Sequence, residues 1–475
     1  MRLTLLSLAF LCTFNAFATD VVIANGRVMD PETGLDAIRN IAIDNGRITA
    51  ISEQTLAGDR IIDAKGFVVA PGFIDLHAHG QDEISNQFQA VDGVTTALEL
   101  EIGVYPVAEW YASREGKAPI NFGASVSHLF ARGNVFAEKL SDANRGEVPA
   151  DKAFEFAAHP VPDDKDRQII LDFLELGIQD GGLGLGLGIS YTPSADHKEI
   201  YSVFKLAAKR DLPIFVHLRN LKQLNGDPIA PLQEVLANAA ATSASLHVVH
   251  INSSMGENAD IALDMIRQMQ KNGLDVTTEN YPYTAGSTRL ESALFDNWEG
   301  NFESLQWVAT GERLTKASFD KYRKQGGWVI IHGRSEEMNA WLIEQPDLII
   351  ASDGIPFVDG LSHPRSAGTF ARILGQYVRD EGKLTLMQAL TKMTLMPARR
   401  LEAFAPAMKK KGRLQVGADA DITIFDAAKI IDRATYTKPA QRSKGIEFVM
   451  VNGTLVVDGG EIVNGVNPGR GVKAQ

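Results

Sequence analysis

The sequence predicts an α/β protein: a (β/α)8 TIM-like barrel with a small β-sandwich formed by both chain ends. Two observations predict it. Between about residues 70 and 399, eight short apolar runs alternate with helix-period segments, as strands feeding crossover helices do. The flanks, 19–69 and 400–475, instead alternate with period two between turn dipeptides, which reads as sheet. A doubly wound sheet has the same periodicity, so the barrel also depends on where the polar residues fall.

The chain begins with Met1-Arg2, an apolar run from Leu3 to Phe14, and Ala16-Phe17-Ala18 before polar Thr19-Asp20. A short positive start, an apolar core and an A-x-A site read as a signal peptide over residues 1–18, and so as a secreted, periplasmic protein. The single cysteine, Cys12, lies inside it. The mature chain would then carry neither disulfides nor thiolate ligands.

In the first flank, Asn25-Gly26 and Asn45-Gly46 predict two-residue hairpins between Val21-Val22-Ile23 and Arg47 to Ile51. In the last, Asp421 to Ile424 alternates, and Asn452-Gly453 joins Phe448–Val451 to Thr454–Val457. The two flanks should therefore meet in one domain.

The barrel strands are read at Phe73–Leu76, Thr96–Ile102, Gly182–Ile189, Ile214–Val216, Leu246–Val249, Val276–Thr277, Val329–Ile331 and Leu348–Ala351. Helices are read at 194–209 and 259–271. Residues 286–325 follow neither period and predict an inserted loop or lid.

The formal net charge of −12 disfavours nucleic acid and anionic membrane surfaces as partners. A small-molecule partner is expected instead.

His77-Ala78-His79 ends the first apolar run, so both imidazoles face one side at a strand's C-terminal end. In a parallel barrel that end is the mouth. His217, His250 and Asp353 follow other runs, and Glu99 and Glu101 lie on the run ending at Gly103. Four histidines and several carboxylates on one rim suit zinc or a similar divalent ion.

The same residues resemble the amidohydrolase superfamily. Pro71 to His79 resembles its first-strand motif. Gly93-Val94-Thr95-Thr96, Tyr281 to Thr288, Ser352-Asp353-Gly354, His363-Pro364-Arg365, Gly368-Thr369-Phe370, Pro397-Ala398-Arg399 and Gly417 to Asp421 resemble the D-aminoacylase branch, the N-acyl-D-amino-acid deacylases. The resemblance spans roughly residues 20 to 460 and implies an amide hydrolase. Two departures stand out. The branch uses a cysteine ligand after Gly-Val-Thr-Thr; here a carboxylate must serve, Glu101 being the choice and Glu99 the alternative. Many amidohydrolases bridge two metals with a fourth-strand lysine, which Gly182 to Ile189 does not offer. Secondly, Asn252 stands where the branch places a lysine that touches the substrate carboxylate.

The resemblance implies one tight Zn²⁺ on Glu101, His217 and His250, a second and weaker position at His77 and His79, and Asp353 as general base and then acid. Tyr283 takes a substrate role by resemblance. Arg219, Arg289, Arg365 and Arg372 are the candidate carboxylate grips, with Arg372 preferred for the α-carboxylate and Arg289 for a second charge, as in N-acyl-D-glutamate. Competing readings are a dihydropyrimidinase-like amidase, a dipeptidase, and a non-catalytic binding protein of the periplasm.

Overall fold

Eight parallel strands form the barrel sheet. They are β1 (Phe73–Asp75), β2 (Val94–Val104), β3 (Asn121–Ser127), β4 (Leu185–Gly188), β5 (Ile214–His217), β6 (Leu246–Val248), β7 (Val276–Asn280) and β8 (Leu348–Ile350). The computed structural model describes residues 19–140, 148, 150–219 and 227–475. The signal-peptide reading of residues 1–18, with Cys12, lies outside them. Strand order follows the sequence from β1 to β8. The seam is closed by a parallel bridge from Ala78 to Gly354 and by Asp75, which accepts from Ser352 N at 3.0 Å and Ser352 Oγ at 2.5 Å.

Helices connect the strands on the outside. Asp82, Asp163 and Asp196 cap three of them by accepting a backbone N–H three residues on. The apolar faces of β3 to β6 pack outward on these helices through Phe122, Leu185, Leu187, Val216 and Val248. Leu98, Leu100, Leu183, Phe215 and Val249 fill the barrel interior. Among the described residues no helix is long and apolar enough to cross a membrane.

Two strand assignments differ from expectation. Asn121–Ser127 is the third barrel strand, although its sequence NFGASVS has no apolar run. Val329–Ile331 is a strand, but within Trp328–Ile331 it pairs antiparallel with Gly286–Arg289 and Leu305–Trp307. The inserted segment is thus a three-stranded sheet and the helix Lys316–Gln325, around Leu290, Phe295, Trp307 and Phe319.

The chain ends meet where Ile422–Phe425 pairs antiparallel with Val68–Pro71 in a nine-stranded sheet. Asn45-Gly46 and Asn452-Gly453 turn hairpins as expected, joining Asp44 to Arg47 and Val451 to Thr454. Asn25-Gly26 does not. The strand Thr19–Asp30 runs straight through it with a register shift, because Gly26 lies against Val69 where a Cβ would collide. The dipeptide here makes a bulge that admits a neighbouring strand.

Candidate metal centre

The strand ends of β1, β2, β5, β6 and β8 bring the expected side chains to one point. His77 and His79 follow β1 in a segment anchored on both sides. Ala78 N donates to Leu98 O at 2.9 Å and His79 N to Gly354 O at 2.8 Å. Their Nε2 atoms lie 3.2 Å apart.

Glu101 stands between two pairs of imidazoles. Its Oε2 is 3.0 Å from His77 Nε2 and 3.1 Å from His79 Nε2. Its Oε1 is 2.5 Å from His217 Nδ1 and 3.1 Å from His250 Nε2. Asp353 Oδ1 is 3.4 Å from Nε2 of both His77 and His79. Two donor groups therefore share Glu101, and within each the ligand atoms lie within 4.8 Å of one another. One is His77, His79, Glu101 and Asp353; the other is Glu101, His217 and His250. Glu99 sits behind, with Oε2 2.8 Å from His79 Nδ1. His250 and Asp353 have φ of 32° and 52°, a region that is costly for residues other than glycine and clusters at functional sites.

The charges favour cations. Glu99, Glu101, Glu279 and Asp353 are all buried, while among the described residues Arg365 is the guanidinium that pairs with one of them, 2.9 Å from Asp353. Burial lowers the pKa of an imidazole, yet Asp353, Glu101 and Glu279 outweigh it and hold His77 well above its ordinary value. Burial opposes Glu99, Asp353 and Glu101 in the same way at His79, which is also raised. Conversely, burial pushes Glu101 up, but His77 and His217 hold it well below the carboxylate range. Arg365 and His77 overcome burial at Asp353 with the same result. The cluster draws in positive charge, as protons or as a metal ion that replaces them.

Glu279 was not anticipated. At the end of β7 it accepts from His77 Nδ1 at 2.6 Å and His247 Nε2 at 3.1 Å, which turns His77 Nε2 toward Glu101. A carboxylate at a barrel strand end was the available signal. Arg365, anticipated as a substrate grip, instead contacts Asp353.

A cavity of about 1020 Å³ opens over the centre, lined by His79, Glu101, His217, His250 and Asp353 with an aromatic wall that includes Trp110, Phe130, Tyr191 and Trp328. Arg219 and Arg289 line it, each answered by a carboxylate: Arg219 by Glu234 at 2.8 Å, Arg289 by Glu291. Tyr283 and Arg372 are not among the lining residues. Asp432, from the C-terminal flank, engages both, 3.3 Å from Tyr283 Oη and 3.3 Å from Arg372 Nη1. Both therefore stand outside the cavity lining, held by Asp432. Asn252 turns into the protein, donating to Tyr281 O at 3.0 Å.

An amidohydrolase family model matches residues 339–457. The N-acyl-D-glutamate deacylase of Alcaligenes xylosoxydans xylosoxydans is 30% identical, over 92% of this chain and 93% of its own. This chain belongs to the N-acyl-D-amino-acid deacylases of the amidohydrolase superfamily. It is a metal-dependent hydrolase of carbon–nitrogen amide bonds. The D-aminoacylase of the same organism is 28% identical over 92% of this family member and 94% of its own length. The solved N-acyl-D-glutamate deacylase of Bordetella bronchiseptica, complexed with zinc and a phosphonate inhibitor, superposes with a TM-score of 0.81. It is 25% identical and covers 96% of this deacylase and 100% of its own chain.

Proposed function

We infer that the protein is a zinc-dependent deacylase of N-acyl-D-amino acids, with N-acyl-D-glutamate the first substrate to test. The observation that carries this reading is Glu101, whose two oxygens are divided between His77–His79 and His217–His250. The donor set fits zinc: imidazole and carboxylate are its ordinary ligands where thiolate is missing. The buried carboxylate excess also favours a divalent cation.

Glu101, His217 and His250 would hold the tight ion, and His77 and His79 a weaker one with Asp353 at its edge. Bound zinc supplies Lewis acidity, bringing the pKa of water to near 7 from about 15.7 in bulk and polarising a carbonyl. Asp353 takes the proton of the attacking water and returns it to the leaving nitrogen. Arg365 keeps that carboxylate ionised and aimed. β4 offers no lysine, so the shared position falls to Glu101, which separates this site from a ring-opening amidase that bridges with lysine.

The substrate reading is supported by the relative and the solved structure named for N-acyl-D-glutamate. Arg289 lines the cavity and would meet a second carboxylate only by turning from Glu291. Tyr283 and Arg372 would act through Asp432, behind the wall. Export completes the reading: cleavage after Ala18 would release the mature chain to the periplasm, supported by the residue pattern of 1–18.

The test strips metal with a chelator and assays N-acetyl-D-glutamate, N-acetyl-D-methionine and N-acetyl-D-leucine. Hydrolysis should vanish and return with Zn²⁺. Asp353→Asn should keep its metal and lose about 10²–10⁴-fold in kcat. Normal turnover by metal-loaded Asp353→Asn would sink the assignment, and preference for the neutral side chains counts against Arg289.

A further inference from the structure

Four guanidinium groups line the cavity: Arg114, Arg219, Arg289 and Arg334. Arg219 and Arg289 are neutralised by Glu234 and Glu291. Arg114 lies on the Trp110 ring, 4.1 Å from its centroid, and donates to Trp110 O and Ser113 Oγ. Asp82 and Glu99 are close enough to act on its charge. Arg334 differs. Its Nη1 donates to Tyr281 Oη at 2.8 Å and its Nη2 to Ser253 Oγ at 2.6 Å. Both acceptors are neutral, and no carboxylate pairs with it among the described residues.

A guanidinium has five N–H donors in a planar fork. Two of Arg334's are spent on hydroxyls that fix its plane, and the rest remain for a partner. Its backbone is tied down as well, N donating to Thr284 O at 3.2 Å. Gly286 leaves the room it occupies: a Cβ there would lie 2.5 Å from Arg334 Nη2. The Tyr281 ring carries Arg334 and Arg365, their Cζ atoms 5.7 and 4.7 Å from its centroid. Arg365 in turn pairs with Asp353. Arg334 thus stands one aromatic ring from Arg365, the partner of the proton carrier, fixed in place and facing the cavity.

We propose that Arg334 determines specificity by binding the α-carboxylate of the N-acyl amino acid through a forked, charge-assisted pair. The inference rests on the deacylase reading. An α-carboxylate is common to all such substrates, and a fixed cation unanswered by protein is the complement it requires. The grip selects N-acyl amino acids with a free carboxylate over their amides, and so over internal residues of peptides.

The test compares acetate release from N-acetyl-D-methionine and from its α-carboxamide, using zinc-loaded wild type, Arg334→Met and Arg334→Lys. Wild type should prefer the acid by at least tenfold in kcat/KM. Arg334→Met should raise KM for the acid at least tenfold and bring the acid-to-amide ratio close to one, with Arg334→Lys between. Metal content and thermal midpoint like wild type would separate this from a merely structural effect. A ratio unchanged in either variant overturns the inference alone. Hydrolysis of neither compound by wild type, with N-acetyl-D-glutamate and N-acetyl-D-leucine also untouched, overturns the deacylase reading and the inference together.

Discussion

A carboxylate shared by four imidazoles sets the chemistry at the scale of single residues, and the groups behind it set the aim of each ring. His77 reaches Glu101 through Nε2 only because Glu279 holds Nδ1 at 2.6 Å. Partners of this kind orient metal-binding histidines and raise their basicity. Glu279→Gln keeps the volume but removes the charge, and its amide can meet Nδ1 with either a donor or an acceptor. Metal affinity at the His77–His79 position should fall about 10–100-fold, measured by metal titration, with kcat/KM falling alongside. Unchanged affinity would remove Glu279 from this role. The six residues first assigned to metal and proton transfer were legible because each ends an apolar run, where strand periodicity also gives direction. Glu279 and Arg365 were less so. The role of Glu279 is fixed by His77, 202 positions away, and no local pattern distinguishes a carboxylate that supports a ligand from one that is solvated.

At the scale of elements, β4 explains how Glu101 comes so near the barrel axis. Leu185 and Leu187 face the helices, while Gly186 faces inward. A Cβ on Gly186 would lie 2.5 Å from Glu101 O and 2.5 Å from Ser125 Oγ, well inside van der Waals contact. Gly186→Ala must therefore push β2 or β3 aside. Overpacking of this kind costs about 1–3 kcal/mol, and displacement of β2 moves Glu101 with it. The variant should melt earlier and bind less metal, read by thermal unfolding and metal analysis. Full metal content at wild-type stability would refute the argument. The same close approach explains why β3 was missed. Gly123 and Ser125 are small because neighbouring segments press on them: a Cβ on Gly123 would lie 2.7 Å from Leu183 Cδ1, and Ser125 Oγ already lies 2.5 Å from where a Cβ on Gly186 would stand. A strand under that constraint has no apolar run to detect. Val329–Ile331 failed in the opposite sense, since periodicity reports an extended backbone and says nothing of which sheet receives it. Asn25-Gly26 shows a third limit: local turn preference yields when a neighbouring strand needs the space of a side chain.

At the scale of the whole molecule, the two ends of the barrel serve different purposes. The C-terminal ends of the strands hold the metal centre, under a cavity whose wall includes Arg289, Trp328 and Ile331 from the inserted sheet. The other end is closed by the last residues of the chain. Val472 is 1% exposed and packs among Leu98, Leu183 and Phe215 in the barrel interior. Its N donates to Phe122 O at 2.7 Å, and its carbonyl accepts from Tyr111 Oη at 2.6 Å. Deleting residues 470–475 removes this plug. Burying one valine contributes about 1.5–3 kcal/mol, and each hydrogen bond about 0.5–1.5 kcal/mol. The truncated protein should thus lose about 2.5–6 kcal/mol of stability. Because Phe122 lies at the start of β3 and the ligands at strand ends, the loss should leave the centre intact. A denaturant midpoint clearly below wild type, with kcat/KM at low temperature within about twofold, is the expected result. An unchanged midpoint would show that the tail lies on the barrel floor without supporting it. A collapse of activity in the folded variant would show that floor and mouth are coupled through the strands.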